Sequence, residues 1–302
     1  MVETYRETPL VMENVYKILV EGIKKYLHDS HIEHVVIGLS GGIDSTVVAA
    51  LCRASNAHVI GVSLPCSTNA DAENGSALAA GSEFCDSFKV VNLQEPYEVM
   101  EKFCTEASGV DKTPISQGNI KARLRMITLY DIASKVGGIV MDTDNLTEHF
   151  LGFWTLHGDD ADFNPIGGLW KHEVYDLAKY MKENIFKDSK ALEQAIALMP
   201  TDGNGVKEGG DLAQIAPGKT YDDVDEILHA WVGLDPRVKE HVLHNYFDYG
   251  VFKKLCEKHG YETVEAVILR SVRSEFKRKQ RPFIIDVYRG LICEKDGKIL
   301  AS

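Results

Sequence analysis

Apolar and polar positions along this chain follow two different periods, and the changes of period mark out its elements. Residues 13–30, "ENVYKILVEGIKKYLHDS", place Val15, Ile18, Leu19, Ile23, Tyr26 and Leu27 on one face at helical spacing. The run "HVVIGL" from His34 reads as a short buried strand, and a glycine turn leads from it into the helix-compatible "DSTVVAALCRA". A second strand, "HVIGVSLP", begins at His58. Strand, turn, helix, strand is a βαβ unit, which implies a parallel sheet with right-handed crossovers.

The pattern then repeats. "ADAENGSALAAGSEF" predicts a helix, "FKVVNL" a third strand, "YEVMEKFCTEA" a helix, "NIKARLRMITLYDIASKV" a longer one and "GGIVMDTD" a fourth strand. Residues 173–183, 222–231 and most of 236–276 predict further helices, while 199–220 is glycine-rich and acidic, a loop long enough to be functional or mobile. The fold expected is therefore α/β, an open parallel sheet flanked by helices on both faces, Rossmann-like. One domain is expected over 1–302, with an α/β part at about 10–185, a lid loop at about 199–220 and a helical part at about 221–302. There is no internal repeat, and no linker splits the chain.

Composition narrows the function. The 302 residues are 44% apolar and 26% charged, as in an ordinary globular protein. No apolar run approaches the roughly 18 residues of a membrane span, and "MVETYRETPL" lacks the apolar segment of a signal peptide, so a cytoplasmic protein is expected. The six cysteines are scattered with no C-x-x-C, which points to idle or buried thiols. A formal charge of −12 argues against nucleic acid as a partner, so an anionic ligand must meet a locally basic pocket.

The candidate chemistry begins at "GLSGGIDS", residues 38–45. In an open parallel sheet, ligands bind beyond the carboxyl ends of the strands, and this turn is such an end. Gly41 and Gly42 let backbone amides converge, and the start of the next helix adds its positive pole, which together make an anion nest. A turn in which Ser and Asp merely cap the helix is the alternative. The string is neither G-x-G-x-x-G nor G-x-x-x-x-G-K-[ST], so the dinucleotide and Walker patterns fail. Two further segments stand out. "QGNIKARLRMITLYDIA" puts Lys121 and Arg125 on one helical face with Arg123 further round; Met126, Leu129 and Ile132 are candidates for the core. "DTDNLTEHFLGFWTLHGDDADFNPIGGLWKHEV", residues 142–174, follows the fourth strand at the same sheet edge and is dense in acids, with Phe150, Phe153 and Trp154 between them.

Ser-Gly-Gly-Ile-Asp-Ser after a strand resembles the pyrophosphate loop of the ATP pyrophosphatase superfamily, whose fold is that of the adenine nucleotide alpha hydrolases. The three segments in this order resemble the NAD synthetase family, ammonia-dependent type, over about 10–185 and more faintly to about 282. That resemblance implies a ligase in which ATP adenylates the nicotinate carboxylate of deamido-NAD, pyrophosphate leaves, and ammonia displaces AMP. It implies that Gly38, Ser40, Gly41, Gly42, Asp44, Ser45, Arg125, Thr143, Lys171 and Thr201 bind ATP. It assigns Asn119, Lys121, Arg123, Phe153, Asp159, Asp162 and Lys277 to deamido-NAD, and Asp44 and Glu148 to Mg²⁺. The catalytic set it implies is Asp44, Glu148, Asp159 and Lys171, and it implies a homodimer; the amphipathic helices at 13–30 and 120–135 are candidate interface elements, a pattern that core burial explains equally well.

The chain departs from the family pattern in places. Asp142 stands for a glycine, "GDDAD" is one residue short, "PTDGNG" lacks the usual "ADL", Ser63 replaces an arginine, and Phe276 a histidine. The segment Arg270–Arg281 carries six basic residues in twelve and either faces solvent or neutralises dinucleotide phosphates. Three alternatives stand beside the main reading: an amide ligase for another carboxylate such as nicotinate mononucleotide, a silent nucleotide-binding protein, and a tRNA-thiolating relative. The last is disfavoured by the lack of C-x-x-C and of a basic face.

Overall fold

The computed structural model describes residues 10–66, 71–198, 210–244, 247, 250–278, 293–295 and 298–300. Helix α1 (Met12–Asp29) leads into β1 (His34–Gly38), α2 (Ile43–Ala54), β2 (His58–Ser63), α3 (Asp71–Phe84) and β3 (Ser87–Val90). Two helices, α4 (Gln94–Ser108) and α5 (Pro114–Val136), come before β4 (Ile139–Met141). Then follow α6 (Leu146–Leu151), α7 (Lys171–Asn184), α8 (Lys190–Ala197), α9 (Gly210–Ile215), α10 (Tyr221–Val232), α11 (Pro236–His244), α12 (Gly250–His259), α13 (Tyr261–Arg273) and α14 (Glu275–Arg278). An antiparallel pair, β5 (Cys293–Lys295) with β6 (Lys298–Leu300), closes the described part.

The first four strands form one parallel sheet in the order β3-β2-β1-β4. Alternation along β1 explains why its sequence is continuously apolar. Val35 and Ile37 enter the large core with α1, α2, α7 and α8, while Val36 points the other way, against Ala133 and Val140 beneath α5. A strand covered on both faces has no polar side to show. The sheet with helices on both faces is the fold expected. A second apolar cluster joins Leu146, Leu151 and Trp170 to Val224, Ile227, Leu228, Trp231, Phe252, Val267 and Ile268, so α6 and the start of α7 lie between the sheet and the helical lobe.

The strand order positions the site. The chain steps outward from β1 to β2 to β3, then returns through α4 and α5 to lay β4 on the other side of β1. The connections leaving β1 and β4 therefore diverge, and the crevice between them is where a parallel sheet accepts a ligand.

Several elements differ from the sequence expectation. The third strand is Ser87–Val90, and Leu93 lies beyond it, buried ahead of α4. Helix α5 starts at Pro114 because Thr113 and Ser116 form a reciprocal cap just before it. Within the span expected to be a loop, Gly210–Ile215 is helical, and residues 199–209 lie outside the described part. Helices α6 and α8 were not expected. Each is announced by a cap, Asn145 with Glu148 for α6 and Ser189 for α8.

Two glycines give opposite expectations. A Cβ on Gly138 would sit 2.6 Å from the backbone oxygen of His34, whereas Gly75, inside α3, has nothing within 4 Å. Gly138→Ala is expected to destabilise by about 1–3 kcal/mol, and Gly75→Ala to stabilise by about 0.5–1 kcal/mol. Urea unfolding of the two variants measures both signs.

Candidate active site

The glycine turn forms the floor of a cleft of about 350 Å³ at the crevice between β1 and β4. Gly41 takes a φ of +87°, a conformation open to glycine at little cost, and this lets β1 turn straight into α2. Side chains hold the turn from several sides. Ser76 donates to the Gly41 carbonyl at 2.8 Å, Thr46 Oγ1 to the Gly42 carbonyl at 2.9 Å, and the Gly42 amide donates to Ser40 Oγ at 3.2 Å. Ser40 and Ser45 place their hydroxyls 3.2 Å apart. The first amides of a helix have no acceptor within it, so the start of α2, beside two hydroxyls, faces the cleft as an anion site.

At the end of the turn, three charged side chains from three elements meet. Lys171, the first residue of α7, is only 4% exposed, and its Nζ bonds both Asp44 Oδ2 and, at 3.1 Å, Glu148 Oε1. Asn145 closes the group by donating from Nδ2 to Asp44 Oδ1 at 3.0 Å. The Tyr221 ring lies 5.4 Å from the same ammonium. Burial alone would discharge Lys171, but Asp44 and Glu148 override it and hold the amine well above its ordinary range. Burial pushes the Glu148 carboxyl up to about 7, with Asp44 adding to the rise and Lys171 opposing it. One ammonium thus serves two carboxylates.

A second acidic group lines the far wall. Asp142 accepts from the amides of Asp144 at 2.7 Å and Ala161 at 3.2 Å. The residue that stands for a glycine therefore ties the turn after β4 to the shortened "GDDAD" loop. Burial pushes its carboxyl up to about 6, and burial together with Asp142 raises Asp144 well above the ordinary range. Asp159 accepts from the Thr155 amide at 2.5 Å; burial raises its carboxyl, and Arg125 and Lys277 draw it back.

The residues predicted from sequence fall into three groups. Gly38, Ser40, Gly42, Asp44, Ser45, Arg125, Thr143, Glu148, Phe153, Asp159 and Lys171 all border the cleft, and Gly41 forms the turn beneath it. Arg125 is steadied by a bond from Nε to the Leu64 carbonyl at 3.2 Å.

A second group stands behind the wall. Asn119 Oδ1 accepts from Thr155 Oγ1 at 3.1 Å and Arg123 donates to the Leu156 carbonyl at 3.2 Å, so both brace the loop that carries Asp159. Lys121 is buried with its ammonium over the Tyr97 ring. The Asp162 carboxylate accepts from the Val140 amide at 2.9 Å and from Tyr130 Oη at 3.1 Å, which fastens β4. Lys277 donates to the Gly152 carbonyl at 2.7 Å and also to that of Trp154. Thr201 lies outside the described residues.

Sequence reading missed Asp144, Asn145, Tyr175 and Tyr221. Asn145 and Tyr221 each belong to a cap pattern, N-x-x-E and T-x-x-D, that could have flagged them. Nothing local marks Tyr175.

The fold and the cleft define an α/β protein with a glycine turn and a buried carboxylate–ammonium cluster at the ends of its parallel strands. The family model for NAD synthase matches residues 15–280, and the chain belongs to that family. The NH(3)-dependent NAD(+) synthetase of Wolinella succinogenes is 30% identical over 268 residues, covering 87% of this chain and 92% of its own. That of Campylobacter jejuni strain 81116 is 34% identical over 185 residues, 60% of this chain and 73% of its own. Among solved structures, the NH3-dependent NAD synthetase of Campylobacter jejuni, in complex with nitrate, superposes with a TM-score of 0.66 at 26% identity over 92% of this chain and all of that one. The NMN synthetase of Francisella tularensis shares the fold, with a TM-score of 0.72 at 24% identity over the same shares.

Asp142 gives this site a testable pH signature. Unfolded, it releases its proton near the ordinary 3.8; folded, it keeps it to about 6, so the folded state binds more protons in that window. Raising the pH through the window therefore costs stability that Asp142→Asn does not lose. The melting temperature of Asp142→Asn relative to wild type is expected to rise between about pH 4.5 and about pH 6.5, and a flat difference would contradict the burial described.

Proposed function

We propose that this protein joins ammonia to deamido-NAD with ATP as co-substrate. The carrying observation is the glycine turn, with Asp44 at its end, meeting Lys171 and Glu148 in one cleft. A carboxylate is a poor acyl donor because oxide would have to leave, and adenylation replaces that leaving group with AMP. The start of α2 and the hydroxyls of Ser40 and Ser45 hold the phosphates, and Lys171 presents its ammonium to the same chain. Arg125 steadies the nucleotide. Asp159, kept basic by its burial, stands near the acyl centre to take a proton from ammonium before attack.

Asp44 and Glu148 fit a magnesium ion. Both are hard oxygen donors, both reach the Lys171 ammonium, and that single ammonium cancels only part of their charge. Bound there, the ion would offset the charge that develops on departing pyrophosphate.

A second reading, with nicotinate mononucleotide as substrate, draws on the basic segment near residue 277. Arg270 donates to the Leu151 carbonyl at 2.7 Å, Lys277 to Gly152 and Trp154, and Arg278 to Phe150 at 2.9 Å. These bonds commit the three cations to the carboxyl end of α6 and weaken the case that they neutralise a dinucleotide.

The partner is a second copy of the chain. Helix α1 buries Val15, Val20, Ile23 and Leu27 and leaves Ile18, expected on the same apolar face, 69% exposed, whereas the only buried residue of α4 is Tyr97. Val99 and Phe103, four apart on α4, are 66% and 65% exposed, with Val110 and Ile115 barer or equal beside them. A bare apolar face of this kind marks a protein interface, and a two-fold dimer satisfies it without a further component. Among the described residues no helix is long and apolar enough to cross a membrane, and the reading is of a cytoplasmic enzyme.

AMP and pyrophosphate are expected only when deamido-NAD, ATP, Mg²⁺ and ammonium are all present, and faster turnover of nicotinate mononucleotide would install the second reading. Asp44→Asn should retain the fold by circular dichroism yet lose at least about 100-fold in kcat. Phe103→Glu is expected to shift the species seen in sedimentation velocity from dimer to monomer.

A further inference from the structure

Helix α7 caps itself only in part: Glu173 Oε2 accepts from the Trp170 amide at 2.9 Å. Trp170, at the cap position, carries no side-chain acceptor, yet the first residue of the helix is the lysine on which the charge cluster turns. The missing acceptor comes from α10. Asp225 is 1% exposed, and its Oδ2 accepts from the His172 amide at 3.1 Å and from His172 Nδ1 at 2.8 Å. Its Oδ1 accepts a hydrogen bond from the Thr147 hydroxyl, and Thr147 Oγ1 in turn accepts from the Lys171 amide at 2.9 Å. One buried carboxylate thus satisfies the first two amides of α7, one directly and one through a hydroxyl, at the positive end of that helix.

The same node holds the other side of the cluster. Thr147 precedes Glu148 in α6, and Asn145, which caps α6, donates to Asp44. Tyr221, one turn before Asp225 on α10, lies against the Lys171 ammonium. The backbone of Lys171, the backbone of Glu148 and the ring under the ammonium are therefore all fixed from a helix outside the sheet. A lysine whose amine must meet both carboxylates and a phosphate chain tolerates little displacement of its Cα.

Resting on the function proposed above, we infer that Asp225, acting through Thr147, is a positioning residue: it sets where the Lys171 ammonium stands, and by that route turnover depends on the helical lobe. Neither residue lines the cleft. The loss on breaking the node should fall on kcat, because a misplaced cation stabilises the departing pyrophosphate less while ATP still binds the turn before α2.

Thr147→Val keeps the shape and removes the hydroxyl. It is expected to lower kcat about 10- to 100-fold with KM for ATP within about threefold, while Thr147→Ser, which restores the hydroxyl, recovers most of the loss. Asp225→Asn, with one acceptor fewer, should show the same split and serves if the valine variant does not fold. Hydrogen exchange at the Lys171 amide needs no substrate and is expected to accelerate at least about tenfold in Thr147→Val and not in Thr147→Ser. Unchanged exchange, or faster exchange with wild-type kcat, overturns the inference. A wild-type protein that forms no AMP overturns the proposed reaction instead, and the exchange measurement still decides whether the node holds α7.

Discussion

The rest of the site depends on one buried ammonium. Lys171 is shut away from water, and only the two carboxylates that meet it keep it charged. Those carboxylates come from the start of α2 and from α6, so the ion group stitches together the turn after β1, the turn after β4 and the head of α7. Such a group gives little net stability, since desolvation consumes most of its Coulomb energy. What it gives is position. One positive charge is set between two carboxylates, each drawn from a different element.

The sheet makes that meeting possible. Four parallel strands covered on both faces leave only their ends for chemistry, and the reversal of strand order between β1 and β4 opens those ends. The apolar layers do no chemistry of their own; they hold the two turns at fixed separation. On the far wall Asp142 performs a related task with hydrogen bonds, drawing the Asp144 and Ala161 amides toward one carboxylate.

Much of this was readable from the sequence, for physical reasons. Strand β1 announces itself because both of its faces are buried, and the turn before α2 because paired glycines beside serines and an aspartate have few other uses. The short helix α6 was hidden, since six residues hold no period, although its cap residues Asn145 and Glu148 spelled out its start. The wall facing the glycine turn was read only in part. Lys121, Asn119, Arg123 and Asp162 sit in motif segments, yet their bonds run to the scaffold, and a motif does not say which of its polar residues face inward. Asp225 left no mark at all, because a buried carboxylate that caps another helix is defined by tertiary distance alone.

The cations that grip the carboxyl end of α6 carry a consequence for biosynthesis. Arg278 and the Phe150 carbonyl it holds are 128 residues apart, and Arg270 reaches back almost as far to Leu151. A nascent chain leaving the ribosome therefore displays the glycine turn and the partners of Glu148 before the last contacts on the carboxyl end of α6 can form. The carboxyl end of α6 is gripped only when translation has passed the basic segment, so an interrupted product can carry every residue that lines the cleft and still lack that grip.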